Sequence, residues 1–468
     1  MNKKVMLLLI GIVLLNIIFD NRFQLHYDEA YYWVWAHNLS WSYFDHPPMI
    51  AYMIRLTSFL GYSEVYVRLS AIITTTITII IIYRLAHKMF GQEVANIAVL
   101  LALACPLIEG VFFVVTIDSP LLMFWALTLY AFYRGVFDNR VKFIYLAGFF
   151  AGCGLLSKYT AILIFPGLFL FLLTSKEYRY FLTKPHLYLA FLIALMVFSP
   201  VLWWNYQHEW ASFTYQFKHG IGEELKFSGQ SFGDYWGGNT LVAGPLLFLA
   251  MLYYSFRYLK INLTTPKLSF LFWSYTFGLV FFAYCSLFKH AEANWTAPLY
   301  ISSTILLARW LVKMNNRWVY QLSLILILLV LVVTKFPLLF TPSRYHNKIP
   351  GLNMFYGNKE LLERVKPYLT KENMPLLACD YGNASRAWYY LQQDRVYVLQ
   401  QFPYANSYRY WDLGRHTPIM NAIYICDNDD FEALAVLHRY FITVRLMEYA
   451  TFSNVISDSR LYIYQATN

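Results

Sequence analysis

The sequence predicts a polytopic α-helical membrane protein of about eleven transmembrane helices, with a small extracytoplasmic α/β domain at its C-terminus. Three observations support this fold class. The 468 residues are 58% hydrophobic and only 14% charged, whereas soluble proteins carry about 25% charged residues. Apolar segments of membrane-spanning length recur through most of the chain. The charges that flank these segments also differ systematically between their two ends.

The predicted spans follow one another with short polar turns between them. The first span follows Lys3 and Lys4, and no small-residue cleavage site comes after it, which favours an uncleaved span over a signal peptide. Together the spans make residues 1–340 a transmembrane domain whose first extracytoplasmic loop is 21–64. The predicted spans are 4–20, 65–85, 93–113, 118–136, 142–157, 159–174, 187–204, 239–258, 268–287, 293–312 and 318–339.

The distribution of basic residues predicts the orientation of these spans. With the N-terminus inside, the inner turns carry fifteen Lys and Arg residues and few acids; examples are Arg84, Lys88 and Arg134. The opposite side collects acidic residues such as Glu64, Glu209 and Asp234. This asymmetry is typical of membrane proteins. It accounts for the net charge of +10 without a nucleic-acid partner, and an odd number of spans exports the C-terminus.

Residues 341–468 change character after Thr341-Pro342 and Ile349-Pro350-Gly351. Short apolar runs alternate there with amphipathic stretches, which predicts a small α/β domain outside the membrane. If this domain is exported, Cys379 and Cys426 could form a disulfide, and the five cysteines show no zinc or redox spacing. The predicted strands are 375–379, 396–399, 422–426, 442–446 and 461–464, and the predicted helices are 383–391 and 430–440.

Aromatic side chains crowd the predicted outer loops. In the first loop, Tyr31, Tyr32, Trp33 and Trp35 lie within five positions of one another. Because such side chains are enriched at the membrane–water interface, we interpret most of them as interface anchors. We also interpret Arg68, near the start of the second predicted span, as an interface anchor, because a long basic side chain can extend its charged group to the membrane surface.

Ionisable residues also collect at the outer ends of the spans, from five separate places in the sequence. Charged groups at a membrane are costly and usually functional. Because the predicted topology puts all of them on one face, we expect them to line a shared external cavity. These residues, together with one amide, are Asp28, Glu29, Asp45, His46, Asp118, Lys158, Lys289, His290, Glu292 and Asn294.

This mixture of acids and cations suits displacement at a carbon that carries a phosphate leaving group. Carboxylates can accept a proton from a hydroxyl nucleophile, while lysine and histidine side chains can stabilise a phosphate. A sugar linked to a polyprenyl phosphate is such a donor, and its lipid tail would lie among the spans. The sequence has no glycine-rich nucleotide-binding loop, so no nucleotide cofactor is expected.

Five motifs resemble the dolichyl-phosphate-mannose–protein mannosyltransferase family, family 39. Within it they are most similar to the bacterial branch related to the aminoarabinose and galacturonic acid transferases of lipid A. The resemblance spans residues 20–310. It implies the GT-C membrane fold, an inverting glycosyltransferase, and a cell inner membrane location with the active site and C-terminal domain in the periplasm. The motifs are Asp28-Glu29-Ala30-Tyr31-Tyr32, Phe44-Asp45-His46-Pro47-Pro48, Thr116-Ile117-Asp118, Ser157-Lys158-Tyr159-Thr160-Ala161 and Lys289-x-x-Glu292-Ala293-Asn294-Trp295.

The resemblance implies roles for individual residues. Asp28 matches the first-loop aspartate, the candidate base or acceptor-positioning carboxylate. Asp45 and His46 match a Glu-Lys pair before the same Pro-Pro in the aminoarabinose transferases, so His46 replaces a fixed cation by one that titrates near neutrality. Asp118 matches another acidic position. We therefore assign Asp28, Glu29, Asp45 and Asp118 to catalysis, His46, Lys158, Lys289 and His290 to the donor phosphate, and Glu292 and Asn294 to their support.

The expected partners are a polyprenyl-phosphate-linked sugar donor, a lipid or glycan acceptor, and membrane lipids. The acceptor decides what Asp28 does. A sugar or serine hydroxyl must lose its proton during attack, whereas a lipid A phosphate is already ionised and needs only orientation. Whether the site binds a divalent metal stays open; its ligands would be Asp45, His46 and His290.

Two other functions stay open. A transporter or flippase of lipid-linked sugars should carry paired repeats and ionisable groups near the bilayer midplane. The polar groups here gather at one face, and no repeat is evident. A non-catalytic envelope assembly protein would not need converging acids and cations.

Overall fold

The computed structural model describes residues 1–20, 22–221, 226–260, 265–289, 291–314, 318–335, 353–372, 374–399, 406–411, 419–427, 431–453 and 458–468. The chain forms two compact units. The first comprises residues 1–18, 46–50 and 68–335, and the second comprises 19–45, 51–67 and 336–468. The predicted domain boundary near residue 340 therefore differs from this division, because most of the predicted first loop, 21–64, joins the C-terminal part.

Apolar periodicity gives helices through the first three hundred residues, and each of the eleven predicted segments contains helix. Most of these helices belong to the first unit, whereas α2 and most of α3 belong to the second. The helices are α1 (Lys3–Asp20), α2 (Tyr27–His37), α3 (Met49–Ser58), α4 (Glu64–Phe90), α5 (Gln92–Leu103), α6 (Pro106–Phe113), α7 (Asp118–Phe137), α8 (Val141–Ser157), α9 (Ile164–Thr174), α10 (Pro185–Gln207), α11 (Ala211–Ile221), α12 (Gly229–Ala243), α13 (Pro245–Lys260), α14 (Pro266–Ser286), α15 (Leu299–Lys313) and α16 (Trp318–Lys335).

Four of the described helices, α4, α7, α10 and α14, are long and apolar enough to cross a membrane. The number rises to six if the bent pairs α5–α6 and α12–α13 each form one span. Proline favours both breaks, because Pro106 and Pro245 begin the second helix of each pair and have no backbone N–H to donate to the preceding turn. The other apolar helices are shorter, so the predicted count of about eleven spans is not confirmed.

Helix α7 carries different ionisable groups at its two ends. Lys88 and Arg134, both predicted on the inner side, form ion pairs with Asp138 just beyond its last residue. Asp118 begins the helix at the other end. Its 20 residues correspond to a length of about 30 Å, which is the thickness of the apolar part of a bilayer. These two groups of charges are therefore separated by one membrane thickness.

The second unit contains a mixed five-stranded sheet in the order β2-β1-β3-β5-β4. β1 pairs in parallel with both β2 and β3, whereas β5 pairs antiparallel with β3 and β4. Each of the five predicted strand segments overlaps a strand, and helices lie at both predicted helical stretches. The elements are α17 (Asn358–Glu363), α18 (Lys366–Glu372), β1 (Leu376–Ala378), α19 (Tyr381–Leu391), β2 (Val396–Val398), β3 (Asn421–Cys426), α20 (Phe431–Tyr440), β4 (Thr443–Ser453) and β5 (Asp458–Thr467).

The aromatic residues of the first loop are packed inside the second unit. The ring of Trp33 lies 5.0 Å from that of Tyr389 on α19, and Trp35 stacks on Tyr43 at 4.1 Å. Their interpretation as interface anchors is therefore wrong for Trp33 and Trp35, which are 5% and 0% exposed. Burial against other aromatic rings removes more apolar surface from water than an interface contact would.

Candidate active site

Helix α2 holds Asp28 and Glu29 in its first turn, and a capping box fixes that turn. The backbone N–H of His26 donates to Glu29 Oε2 at 2.9 Å, and His26 Nδ1 accepts from the backbone N–H of Asp28 at 3.2 Å. Glu29 is fully buried. This geometry satisfies backbone groups that a helix end leaves open, so Glu29 has a structural contact that orients its neighbour Asp28.

Asp28 is half-buried, with 33% of its side chain exposed. The hydroxyl of Tyr381 donates to its Oδ1 at 3.1 Å, and His26 Nδ1 lies 3.6 Å from its Oδ2. Burial raises the pKa of Asp28 to about 6, while the Tyr381 hydrogen bond and the positive charge of Arg386 act in the opposite direction. Asp28 is therefore a carboxylate that can take up a proton close to neutral pH.

Asp45 is held by a short chain of hydrogen bonds. The hydroxyl of Tyr31 donates to Asp45 Oδ2 at 2.7 Å and accepts from the backbone N–H of Ser407 at 2.6 Å. The Ser407 hydroxyl also lies 3.4 Å from Asp45 Oδ2. Burial raises the pKa of Asp45 to about 7; the Tyr31 hydrogen bond lowers it, and the negative charge of Asp28 raises it further.

The two carboxylates belong to one electrostatically coupled site in the second unit. Their tyrosine partners touch, because the rings of Tyr31 and Tyr381 lie 4.6 Å apart. Two interacting acids with raised pKa values release their protons in separate steps over the neutral range. Such a pair can accept a proton from a hydroxyl nucleophile without a strong external base.

A second cluster lies in the first unit and involves Asp118, Lys158 and Asn294. Lys158 Nζ donates to Asp118 Oδ1 at 2.7 Å, and Asn294 Nδ2 donates to Asp118 Oδ2 at 2.9 Å. The side chains of Lys158 and Asp118 are only 9% and 3% exposed. The chain order explains the geometry, because α7 begins at Asp118 and α8 ends one residue before Lys158. Both hydrogen bonds hold the carboxylate in place.

The remaining predicted cations of the first unit lie against α11. Gln216 Nε2 is 3.3 Å from His46 Nδ1, and Lys289 Nζ donates to the backbone carbonyl of Lys218 at 2.6 Å. Glu292 is exposed and precedes a short 3₁₀ helix, Ala293–Thr296. His290 lies outside the described residues.

The structure thus brings the predicted residues together in two sets. Asp28 and Asp45 share one site in the second unit, and Asp118, Lys158 and Asn294 share another in the first. His46 and Lys289 contact neighbouring positions of α11 in the first unit. A single cavity that unites all of them stays a prediction.

Sequence reasoning missed several participants. Tyr31 stands in a motif that we identified, and its hydroxyl could have been recognised as a partner for a nearby acid. Tyr381 and Ser407 lie more than 300 positions from Asp28 and Asp45, and no local pattern marks them.

Arg68 was interpreted as an interface anchor, and this is wrong. Its side chain is fully buried, and its guanidinium lies 5.4 Å from the ring centre of Phe113.

A buried ionic cluster in the first unit was also missed. Lys335 Nζ donates to Asn16 Oδ1 at 2.7 Å and lies 3.6 Å from Glu109 Oε1. The same ammonium group lies 4.5 Å from the ring centre of Phe113. These residues come from α16, α1 and α6. A buried lysine with a carboxylate and an amide as partners avoids the cost of an isolated charge.

The metal hypothesis has three named ligands, of which Asp45 and His46 are described. Asp45 accepts hydrogen bonds from Tyr31 and Ser407, and His46 contacts Gln216. Among the described residues, Cys379, Cys426 and Asp427 form the group whose potential ligand atoms come within 4.8 Å of one another. Cys379 and Cys426 are joined as a disulfide. Because a metal binds thiolates, this group does not fit a metal ion.

Comparison with known proteins bears on these sites. The family model described as dolichyl-phosphate-mannose-protein mannosyltransferase matches residues 45–204. The lipid A galacturonosyltransferase RgtD of Rhizobium johnstonii is 25% identical over 380 residues, which cover 80% of this chain and 78% of RgtD. These matches confirm the resemblance seen in the motifs.

Two crystal structures of ArnT from Cupriavidus metallidurans have a similar fold. The form bound to undecaprenyl phosphate aligns with a TM-score of 0.67 and 14% identity, covering 99% of this chain and 98% of that chain. The apo form aligns with a TM-score of 0.64 and 16% identity, covering 98% and 97%. The chain therefore has the ArnT fold over nearly its whole length.

Proposed function

We propose that the protein is an integral membrane glycosyltransferase that moves a sugar from a polyprenyl-phosphate donor to a cell-envelope acceptor, such as lipid A, another glycolipid or a protein. The reaction would take place at the outer face of the cell inner membrane and invert the configuration of the sugar. Asp28 carries the proposal, because its site keeps a carboxyl group with a pKa of about 6 beside a tyrosine hydroxyl. The similarity to RgtD and the ArnT fold support the same reaction class.

The proposed step is a displacement at the anomeric carbon. An acceptor oxygen forms a bond to that carbon while the bond from the carbon to the phosphate oxygen breaks, and the electron pair leaves with the polyprenyl phosphate. If the acceptor is a hydroxyl, its proton passes to the carboxylate of Asp28. If the acceptor is a phosphate, Asp28 only orients it. The negative charge of Asp28 would in turn help to keep Asp45 protonated, because it raises the pKa of Asp45.

The donor phosphate needs cations. Lys158 uses one of its three N–H donors on Asp118, and two donors remain for phosphate oxygens. Asp118 would therefore position Lys158 rather than take part in proton transfer. His46 and Lys289 are proposed as further phosphate ligands, together with His290. His46 and Lys289 each lie against α11.

Purified protein in liposomes, supplied with undecaprenyl-phosphate sugars and lipid A acceptors, tests the proposal. We expect sugar transfer by the wild type. If a hydroxyl of the acceptor is the nucleophile, Asp28→Asn should lose about 10²- to 10⁴-fold in rate, which is the range of general-base catalysis. Asp234→Asn is the matched control, since Asp234 is an exposed carboxylate of the first unit, and it should transfer at the wild-type rate. Movement of the sugar lipid across the bilayer without any transfer would instead identify a flippase.

A further inference from the structure

A polar cavity of about 540 Å³ lies inside the second unit, separate from the carboxylate pair itself. Its volume is within the range of small-molecule sites, about 300–1,000 Å³. The residues that give it its chemistry are Tyr27, Asn358, Asp380, Tyr381, Arg386 and Asp427.

The sheet topology explains why a cavity forms at this place. From β1 the chain passes to β2 on one side, and it then returns to β3 on the other side of β1. In parallel sheets, ligands bind at such a switch point, outside the carboxyl ends of the two strands. Asp380 follows β1 and Asp427 follows β3, so both carboxylates stand at this point. The Cys379–Cys426 disulfide ties the two strand ends together.

Arg386 gives the cavity a buried cation. Arg386 is only 8% exposed. Its Nη1 donates to Asn358 Oδ1 at 2.9 Å. Its Nε has no hydrogen-bond partner in the described part of the chain. A buried guanidinium N–H without a partner is costly. A ligand that brings hydrogen-bond acceptors would reduce this cost.

The balance of charge indicates the class of ligand. Asp380 and Asp427 contribute two negative charges, and Arg386 and Arg460, which also lines the cavity, contribute two positive charges. A site with no net charge does not select a phosphate or another strong anion. Asp380 caps α19 by accepting from the backbone N–H groups of Gly382 and Asn383, so Asp427 is the carboxylate placed to accept from a ligand. This acceptor, the guanidinium donor of Arg386 and the ring of Tyr381 together suit the hydroxyl groups and C–H faces of a sugar.

Tyr381 connects this cavity to Asp28. It lines the cavity, and its hydroxyl donates to Asp28 Oδ1 at 3.1 Å. We infer that the cavity binds a sugar residue of the acceptor, so that the acceptor lies one side chain away from the carboxylate that activates or orients it; this inference rests on the proposed function. The donor sugar, by contrast, is attached to a phosphate in the bilayer.

The first test measures binding without transfer. The probe is the deacylated, dephosphorylated glucosamine disaccharide of lipid A, and the full-length protein in detergent is examined by saturation-transfer NMR. We expect saturable binding by the wild type and by Asp28→Asn. Arg386→Lys and Asp427→Asn should weaken binding about tenfold or more, since each alters a hydrogen bond to a charged group. Because Asp427 is exposed, its variant should fold even if Arg386→Lys does not.

The second test separates the two substrates kinetically. In Asp427→Asn the KM for the lipid A acceptor should rise about tenfold while the KM for the donor stays constant. Glu363→Gln is the control, because Glu363 is an exposed residue of α17 outside the cavity, and both KM values should stay at wild-type levels. Wild-type transfer with an unchanged acceptor KM in Asp427→Asn would overturn the cavity assignment and leave the proposed function intact. Disaccharide binding without any transfer would overturn the proposed function alone.

Discussion

At the scale of single residues, the protein keeps two carboxyl groups in surroundings that disfavour their charge. Asp28 and Asp45 each accept a hydrogen bond from a tyrosine hydroxyl. Burial is the largest cause of their raised pKa values. Burial outweighs the hydrogen bonds that favour the charged form, so both carboxyl groups can gain and lose a proton near neutral pH.

The rate of sugar transfer should depend on the ionisation of Asp28. With a hydroxyl acceptor, we expect the rate to rise with pH and to reach half its maximum near pH 6, because the pKa of Asp28 is about 6. Tyr381→Phe removes a hydrogen bond that lowers this pKa, so its midpoint should move to higher pH. The measurement is kcat/KM for the acceptor against pH for both proteins, since this ratio reports the pKa values of the free enzyme. An identical midpoint in the two proteins would show that another group controls the rate.

Stability should depend on pH through the same acids. The folded protein holds Asp28 and Asp45 at pKa values of about 6 and 7, above the ordinary 3.8. The folded state therefore binds more protons than the unfolded state between about pH 4 and 7, and stability falls as pH rises through this window. Asp45→Asn should have a higher Tm than wild type at pH 8, and the difference should disappear near pH 4. A lower Tm at pH 8 would contradict this account.

Lys158 and Asp118 should depend on each other for stability. Lys158→Met leaves a buried carboxylate with the amide of Asn294 but without its cation, which should cost about 3–5 kcal/mol. The double variant Lys158→Met/Asp118→Asn should regain much of this loss in a thermal unfolding experiment. If the double variant folds and still transfers sugar at the wild-type rate, Lys158 is structural and does not bind the donor phosphate.

At the scale of elements, α8 and α10 approach each other more closely than side chains usually allow. A Cβ atom on Gly148 would lie 2.1 Å from the backbone oxygen of Ala190, and one on Gly152 would lie 2.8 Å from that of Ala194. Gly148 and Gly152 are four residues apart on one face of α8. Small residues at this spacing allow membrane helices to pack backbone against backbone.

Gly148→Ala should therefore destabilise the first unit. A methyl group there must push two helices apart, and overpacking typically costs about 1–3 kcal/mol. Gly11→Ala in α1 is the matched control, because its Cβ would meet no atom within 4 Å and alanine is the better helix former. The apparent Tm in detergent should fall for Gly148→Ala and stay constant or rise for Gly11→Ala. Equal Tm values for both variants would refute the close contact.

Element positions were largely predictable, whereas element lengths were not. Apolar runs gave the helices because a bilayer requires long apolar segments, and alternation of short apolar runs with turns gave the five strands. The spans near 93–113 and 239–258 are nevertheless broken before Pro106 and Pro245. Both prolines stand in the sequence, but hydropathy alone does not distinguish a kinked helix from a broken one.

At the scale of the whole molecule, neither compact unit is a continuous stretch of chain. The second unit combines 19–45 and 51–67 with residues from the C-terminal third. Within it, the Tyr62 hydroxyl donates to the backbone carbonyl of Tyr389, and Tyr381 donates to Asp28. The C-terminal domain therefore completes the site of the first loop, and a truncation before α17 would remove Tyr381 and the sheet together.

The Cys379–Cys426 disulfide should stabilise this second unit. It closes a loop with a sequence separation of 47, and its loss should cost about 2–4 kcal/mol. The double variant Cys379→Ser/Cys426→Ser should have a lower Tm than the wild type. A reductant should lower the Tm of the wild type and leave the Tm of this variant unchanged. The same bond requires an oxidising compartment. Alkylation of the denatured protein before reduction should label Cys105, Cys153 and Cys285 only, and labelling of all five cysteines would contradict an exported domain.

The sequence by itself determined the membrane class, the helical segments, the strands of the C-terminal sheet and the ionisable residues that merit attention. These follow from local periodicity and composition, which act over a few turns of chain. Only the tertiary structure decided the partners: Asp118 with Lys158, Asp45 with Tyr31 and Ser407, and Asp28 with Tyr381. Burial and hydrogen bonding between distant segments set the pKa values and hence the chemistry, and neither leaves a local pattern in the sequence.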